Sequence, residues 1–224
     1  MRIWLKRILI ALCLLALLPF VLVPVFAVVN PPVTVSQLWK WAEGQGIRSS
    51  WMAYGSISRH LPAAVVTSED ARFCSHNGVD WDAVQTVVED KLEHPGKKVR
   101  GASTITMQLA KNLFFPPGRS YVRKAFEVPL ALWIDLIWSK RRQMEVYLNI
   151  VEWAPGVYGA AAAARRHFRK SASRLNRGEA ARLAAVLPNP VVRSAGRPGS
   201  YTWKLAVRID RRMRGIGPYI KCLK

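Results

Sequence analysis

The chain opens with one long apolar run and then changes period. Ile8 to Val29 give 22 consecutive positions without a charge, enough helix to cross the roughly 30 Å of a bilayer's hydrocarbon core. Pro19 and Pro24 lie inside the run, where a membrane helix tolerates them. Asn30-Pro31-Pro32 makes a stiff exit. From Leu61 to about Pro190 the pattern is helical: Ala, Leu, Arg and Glu recur at helical spacing, and strand-like alternation is almost absent. The clearest helical segments cover 120–151, 159–167 and 177–187, and Leu187-Pro188-Asn189-Pro190 stops the last. Residues 91–100 read as a basic loop. The predicted organisation is therefore a cytoplasmic N-terminus over 1–7, a transmembrane helix over 8–29, a membrane-proximal segment over 30–60, one mainly α domain over 61–192, and a basic C-terminal helix or tail over 193–224.

Charge sharpens this picture. The 224 residues hold 34 Lys+Arg against 14 Asp+Glu, a formal net charge of +20, which draws a protein to nucleic acid, an anionic membrane face or phosphate-bearing substrates. Arg2, Lys6 and Arg7 precede the apolar run, so the positive-inside rule leaves the first residues in the cytoplasm and sends the remainder across. A cleaved signal peptide would have a shorter apolar core, and Val-Phe-Ala-Val-Val-Asn is a poor small-x-small cleavage site. Trp39, Trp41, Trp51 and Tyr54 suit either the headgroup zone or the domain core. In the tail, Lys204, Arg208, Arg211 and Arg212 share one helical face, with Trp203, Ala206, Val207 and Met213 on another. That pattern fits a membrane surface or a packed, solvated helix. Of three cysteines, Cys13 falls in the apolar run. Cys74 and Cys222 are able to pair, but no disulfide framework and no metal-ligand spacing is present.

Acidic residues are scarce, so their positions carry information. Glu69-Asp70 follow an apolar stretch, with Phe73, His76, Gly78 and Asp80 after them. Continued as a helix, this segment puts Phe73 one turn beneath Glu69 as an apolar wall; apolar contact would raise the carboxyl pKa and nearby cations would lower it. In residues 101–112, Thr104, Gln108, Lys111 and Asn112 form one polar stripe, Ile105, Leu109 and Leu113 another side, and Gly101 and Ser103 suit the helix start. A hydroxyl, two amides and an ammonium on one stripe fit a polar substrate better than a solvated face, which more often carries Glu-Lys pairs. Arg123 and Glu127 stand at i, i+4, and Glu127 enters an apolar stretch where a carboxylate must be paired, bind a metal or serve chemistry. Lys140 and Arg141 offer a diphosphate a point charge and a planar fork.

Together these segments resemble the glycosyltransferase module of peptidoglycan synthases, which also forms the first half of bifunctional penicillin-binding proteins. The motifs occur in order: Glu-Asp-x-x-Phe-x-x-His-x-Gly over 69–78, Gly-x-Ser-Thr-Ile-Thr-x-Gln-x-x-Lys-Asn over 101–112, Arg-Lys-x-x-Glu over 123–127 and Glu-x-Tyr-Leu-Asn over 145–149. Gly-x-Tyr-Gly and Leu-Pro-Asn-Pro continue the series. The match covers roughly residues 60–192 and is most similar to the monofunctional biosynthetic transglycosylases. No Ser-x-x-Lys or Lys-Thr-Gly of a transpeptidase occurs, and 224 residues leave no room for one. Departures include Met107 where the family has Gln, Arg169 where it has Gly, and the flanks Phe126 and Pro129 of Glu127.

The resemblance implies a mainly α, lysozyme-like domain with a small membrane-proximal jaw lobe, in the inner membrane with its catalytic part outside the cytoplasm. It implies polymerisation of lipid II into β-1,4-linked glycan with release of undecaprenyl pyrophosphate and inversion at the anomeric carbon. Glu69 matches the general base and Glu127 the second carboxylate, acting through a divalent cation (Mg2+ or Mn2+) or by ordering basic residues. The implied substrate contacts are Asp70, Phe73, His76, Ser103, Thr104, Gln108, Lys111, Asn112, Arg119, Arg123, Lys140, Arg141 and Asn149. Implied partners are lipid II, the growing glycan, membrane lipids and division or elongation proteins including penicillin-binding proteins, with no organic cofactor and no nucleic acid. A lytic, lysozyme-like enzyme would need one acid Glu and no cationic diphosphate site. A non-enzymatic polyanion binder would spread its cations in patches rather than around two carboxylates.

Overall fold

The computed structural model describes residues 2–94, 102–118 and 121–224. Its first element, α1 (Arg2–Val28), has 27 residues, about 40 Å at 1.5 Å per residue, and is long and apolar enough to cross a membrane. Pro24 has no N–H to give the carbonyl four residues back, that of Phe20. The Trp133 indole takes this place, donating to Phe20 O at 3.0 Å. Trp138 Nε1 donates to Val23 O at 2.7 Å, and the Arg142 guanidinium to Phe26 O and Val29 O at 2.9 and 2.8 Å. Val23 is fully buried, whereas Ile3, Trp4, Leu5, Ile8, Leu9, Ile10, Leu14, Leu15, Leu17 and Leu18 stay exposed. The helix is docked over its last turns, with donors on the carbonyl that Pro24 frees, on that of Val23 and on those at its end.

The rest is mainly α, as the pattern predicts: α2 (Val35–Ala42), α3 (His60–Glu69), α4 (Trp81–Glu93), α5 (Ile105–Phe114), α6 (Tyr121–Ile137), α7 (Lys140–Ile150), α8 (Ala160–Phe168), α9 (Arg177–Val186) and α10 (Ser200–Met213). The segment 120–151 forms two helices rather than one, because Ser139 turns extended and caps α7, accepting from Arg142 N at 3.2 Å. Three strands are too short for alternation to register: β1 (Arg48–Ser49), β2 (Glu152–Ala154) and β3 (Val157–Tyr158). They form a sheet of order β1-β3-β2, parallel at β1-β3 and antiparallel at β2-β3. Of the predicted basic loop, 95–100 fall outside the described residues, as do Gly101, Arg119 and Ser120.

The core is built on small side chains. Ala160 to Ala164 are all buried in α8, and α9 adds Ala180, Ala181, Ala184 and Ala185. Gly159 permits the approach: its φ is +83°, and a Cβ there would lie 2.8 Å from Asn149 O. Helix α10 packs on α9 and α3 through Thr202, Ala206, Ile209 and Met213. Trp203 and Val207, expected on its apolar face, are 53% and 43% exposed, so the buried stripe is rotated from the predicted one. A disulfide joins Cys74, in the loop after α3, to Cys222 in the terminal 3-10 segment Gly217–Leu223. Cys13 is exposed on α1.

Candidate active site

Glu69 is the last residue of α3. The helix does not continue to set Phe73 beneath it: Asp70 has φ −158°, and its carboxylate is used elsewhere. Asp70 Oδ2 accepts from Ile105 N at 3.0 Å, and His76 Nε2 lies 3.0 Å from both carboxylate oxygens. Both side chains are buried. Asp70 thus ties the loop after α3 to the first turn of α5, which holds the two motifs together. Phe73 is wholly buried, edge-on to His76, with Lys140 Nζ 4.7 Å from its ring centre. Gly78 has φ +79°, and a Cβ there would meet Ala131 O at 2.6 Å. Its carbonyl accepts from Thr104 Oγ1 at 2.6 Å.

Thr104 is the N-cap of α5, its hydroxyl also accepting from Met107 N at 3.1 Å. The helix therefore starts one residue later than a Ser103 cap implies, and the Thr104 hydroxyl is spent inside the fold. Ile105, Leu109 and Leu113 are buried as their spacing predicts. Gln108, Lys111 and Asn112 line a cavity of about 420 Å³, closed by Lys40 of α2, Arg123 of α6 and Glu152 and Tyr158 of the hairpin. Ser103 and Thr104 instead line a recess of about 200 Å³ beside Glu69 and Asp70.

Gln108 connects the two. Its Nε2 donates to Glu69 Oε2 at 3.1 Å, and its Oε1 accepts from Tyr147 Oη–H at 2.9 Å. Ser68 Oγ donates to Glu69 Oε1 at 3.0 Å. Tyr147 is buried. Burial first, then the charges of Glu69 and Asp70, hold its phenol well above its usual pKa, so it remains a neutral donor. That fixes which way the Gln108 amide faces.

Glu127 is 3% exposed and receives Arg123 Nε at 2.7 Å, the i, i+4 pair that the spacing implies. Lys111 lines the cavity that Gln108 and Arg123, the partners of the two carboxylates, also line. Burial lowers its pKa most, Glu127 and Glu69 pull it back up, and Arg123 and Lys124 press it down. One ammonium is thus within electrostatic reach of both acids, which come from distant stretches of chain.

Other predicted site residues lie elsewhere. Lys140 is held by Asp135 Oδ1 at 2.6 Å and His76 O at 2.7 Å. Arg141 lies over the Tyr54 ring at 4.9 Å, beside a different cavity. The buried Asn149 amide clamps the backbone of Met52 and Glu145. Arg119 falls outside the described residues. Sequence reasoning did not single out Tyr147, although it sits in the Glu-x-Tyr-Leu-Asn motif, nor Lys124 in Arg-Lys-x-x-Glu. Lys40 carried no signal. Among the described residues no three of His, Cys, Asp and Glu stand together as a metal site.

Known proteins bear on this geometry. The family model described as transglycosylase matches residues 36–213. A biosynthetic peptidoglycan transglycosylase of Agrobacterium fabrum is 47% identical over 219 residues, 97% of this chain and 96% of its own length. One from Rhodopseudomonas palustris is 50% identical over 208 residues, 92% and 86% of the two chains. One from Rhizobium johnstonii is 46% identical over 220 residues, covering 98% and 89%. The matched span includes both carboxylates, Lys111 and most of the helical core, so the chain is an enzyme of the glycosyltransferase class and belongs to the transglycosylase family.

Proposed function

We propose that the enzyme polymerises the lipid-linked disaccharide of peptidoglycan, lipid II, at the cleft between α3, α5 and α6. The observation that carries this reading is Lys111, a half-buried cation in the same cavity as Gln108, which donates to Glu69, and Arg123, which donates to Glu127. The 4-hydroxyl of an acceptor sugar attacks the anomeric carbon of the growing chain. A carbon–oxygen bond forms there as the bond to the diphosphate breaks, with inversion and without a covalent sugar–enzyme intermediate. Glu69 takes the hydroxyl proton, oriented by Ser68 and by the Gln108 amide that Tyr147 holds. The departing diphosphate needs positive charge, which Lys111, Arg123 and Lys124 supply. Glu127 orders Arg123 and keeps Lys111 cationic despite burial. A divalent cation, were one bound, would be held by Glu127 and would add positive charge for the departing diphosphate; among the described residues no three metal-ligating side chains cluster around it.

The anchor completes the arrangement. With Arg2, Lys6 and Arg7 on the cytoplasmic side, about 20 residues from Ile8 span the hydrocarbon and reach Ala27. Trp133 and Trp138 meet α1 at Phe20 and Val23, inside that span, and Leu132, Leu136 and Ile137 are exposed around them. The last turns of α6 therefore sit in the outer leaflet, and the enzyme meets a polyprenyl substrate in the plane that holds both. A glycan-cleaving reading has no use for three cations beside Glu127. The test offers the purified protein lipid II and, separately, finished peptidoglycan. Consumption of lipid II with release of the lipid diphosphate supports polymerisation; cleavage of the finished polymer alone sinks it.

A further inference from the structure

We propose that a second cavity, sharing no lining residue with the catalytic cleft, holds the headgroup phosphate and part of an acyl chain of an anionic glycerophospholipid. Its volume is about 560 Å³, within the roughly 300–1,000 Å³ of small-molecule sites. Ile57, Ile220 and Leu223 give it an apolar floor, Arg59, Arg141 and Lys224 a cationic wall, and no acidic side chain lines it. Two of these three cations are guanidinium groups. Helix α3 begins here at His60, but Ser58 accepts its first two N–H groups and its third residue is Pro62, so side chains alone supply the positive charge. Guanidinium forks suit a phosphate. The floor suits hydrocarbon.

Depth selects a membrane lipid as the occupant. Arg142 grips Phe26 O and Val29 O at the outer end of α1, and Arg141 is its neighbour, about 3.8 Å away between Cα atoms. The Arg141 side of the cavity thus stands near headgroup level, an inference that rests on the membrane placement proposed above. The substrate diphosphate belongs to Lys111 and its neighbours: Glu69 lies six residues beyond Ala63, the last α3 residue in this cavity, about 9 Å along the helix.

The test uses the full chain in detergent, with native mass spectrometry reading retention of dioleoyl phosphatidylglycerol or phosphatidylcholine. We expect one phosphatidylglycerol to be retained, weak uptake of phosphatidylcholine, and a loss of affinity on the order of 30-fold in Arg59→Gln/Lys224→Gln. That variant should polymerise lipid II in detergent within about twofold of the parent, which also shows that it is folded. Equal retention of the two lipids, or undiminished binding by the variant, overturns the proposal. So does displacement of the lipid by glycerol phosphate alone, which would mark an anion site only, or by lipid II at matched affinity, which would mark a substrate site. Flotation on pure phosphatidylcholine vesicles separates the readings. Failure to float sinks the membrane placement, while flotation without phosphatidylglycerol preference sinks only the lipid site.

Discussion

Helices α5 and α10 use positive charge in opposite ways. Helix α10 carries Lys204, Arg208, Arg211 and Arg212 on a face turned to solvent, with the apolar stripe from Thr202 to Met213 inward. Helix α5 has one cation, Lys111, part-buried in a cavity and felt by two carboxylates. Charges in water are screened within about 10 Å and contribute little individually. A desolvated ammonium between two acids is worth far more to a phosphate. The lesson is that a net charge of +20 does not locate the chemistry. In the reaction proposed, that part falls to the cations set beside the two carboxylates, Lys111 and Arg123.

The variants that break this contrast form a graded series. Glu69→Gln should lower kcat for lipid II polymerisation by roughly 10²–10⁴-fold while circular dichroism and thermal midpoint stay near those of the parent. Lys111→Gln should cost about 10²-fold in kcat/KM, as loss of a charge-stabilising donor does. Lys111→Arg should keep activity at alkaline pH. The lowered pKa of Lys111 means that its ammonium is lost below the usual lysine range as pH rises, so the parent's kcat/KM, which reports the free enzyme, must fall on that limb where the arginine variant does not. Tyr147→Phe releases the Gln108 amide and should reduce kcat by about tenfold or less, corresponding to roughly 1 kcal/mol for one neutral hydrogen bond. Its pH–rate profile should also shift. Neutralising Lys204, Arg208, Arg211 and Arg212 together as Gln should change the rate in detergent by no more than about twofold, since exposed substitutions seldom act.

Much of the architecture was legible because helical periodicity is a local signal. The buried Ile105-Leu109-Leu113 stripe and the Arg123–Glu127 pair follow from spacing alone. The break at Ser139 and the end of α3 at Glu69 did not, since each depends on a side chain committed to a partner: Ser139 to Arg142 N, Asp70 to Ile105 N and His76. The site was legible as a set of motifs, not as geometry. Thr104, Lys140 and Asn149 carry the right chemistry for a substrate, yet the fold spends their polar groups on Gly78 O, Asp135 and Met52, across separations from a few residues to about a hundred. The docking of α1 was equally hidden. Pro24 announces a freed carbonyl at Phe20, but nothing local says that an indole 113 residues away will meet it.

The claim that Glu69 and Glu127 share one cleft around Lys111 has a direct test. The Lys111 side chain can be titrated by NMR in the parent, in Glu69→Gln and in Glu127→Gln. Each carboxylate holds the ammonium up against burial, so its pKa should fall further in both variants, and more in Glu127→Gln. A Lys111 titration that does not move when Glu69 is neutralised would place the two acids in separate sites and contradict the account.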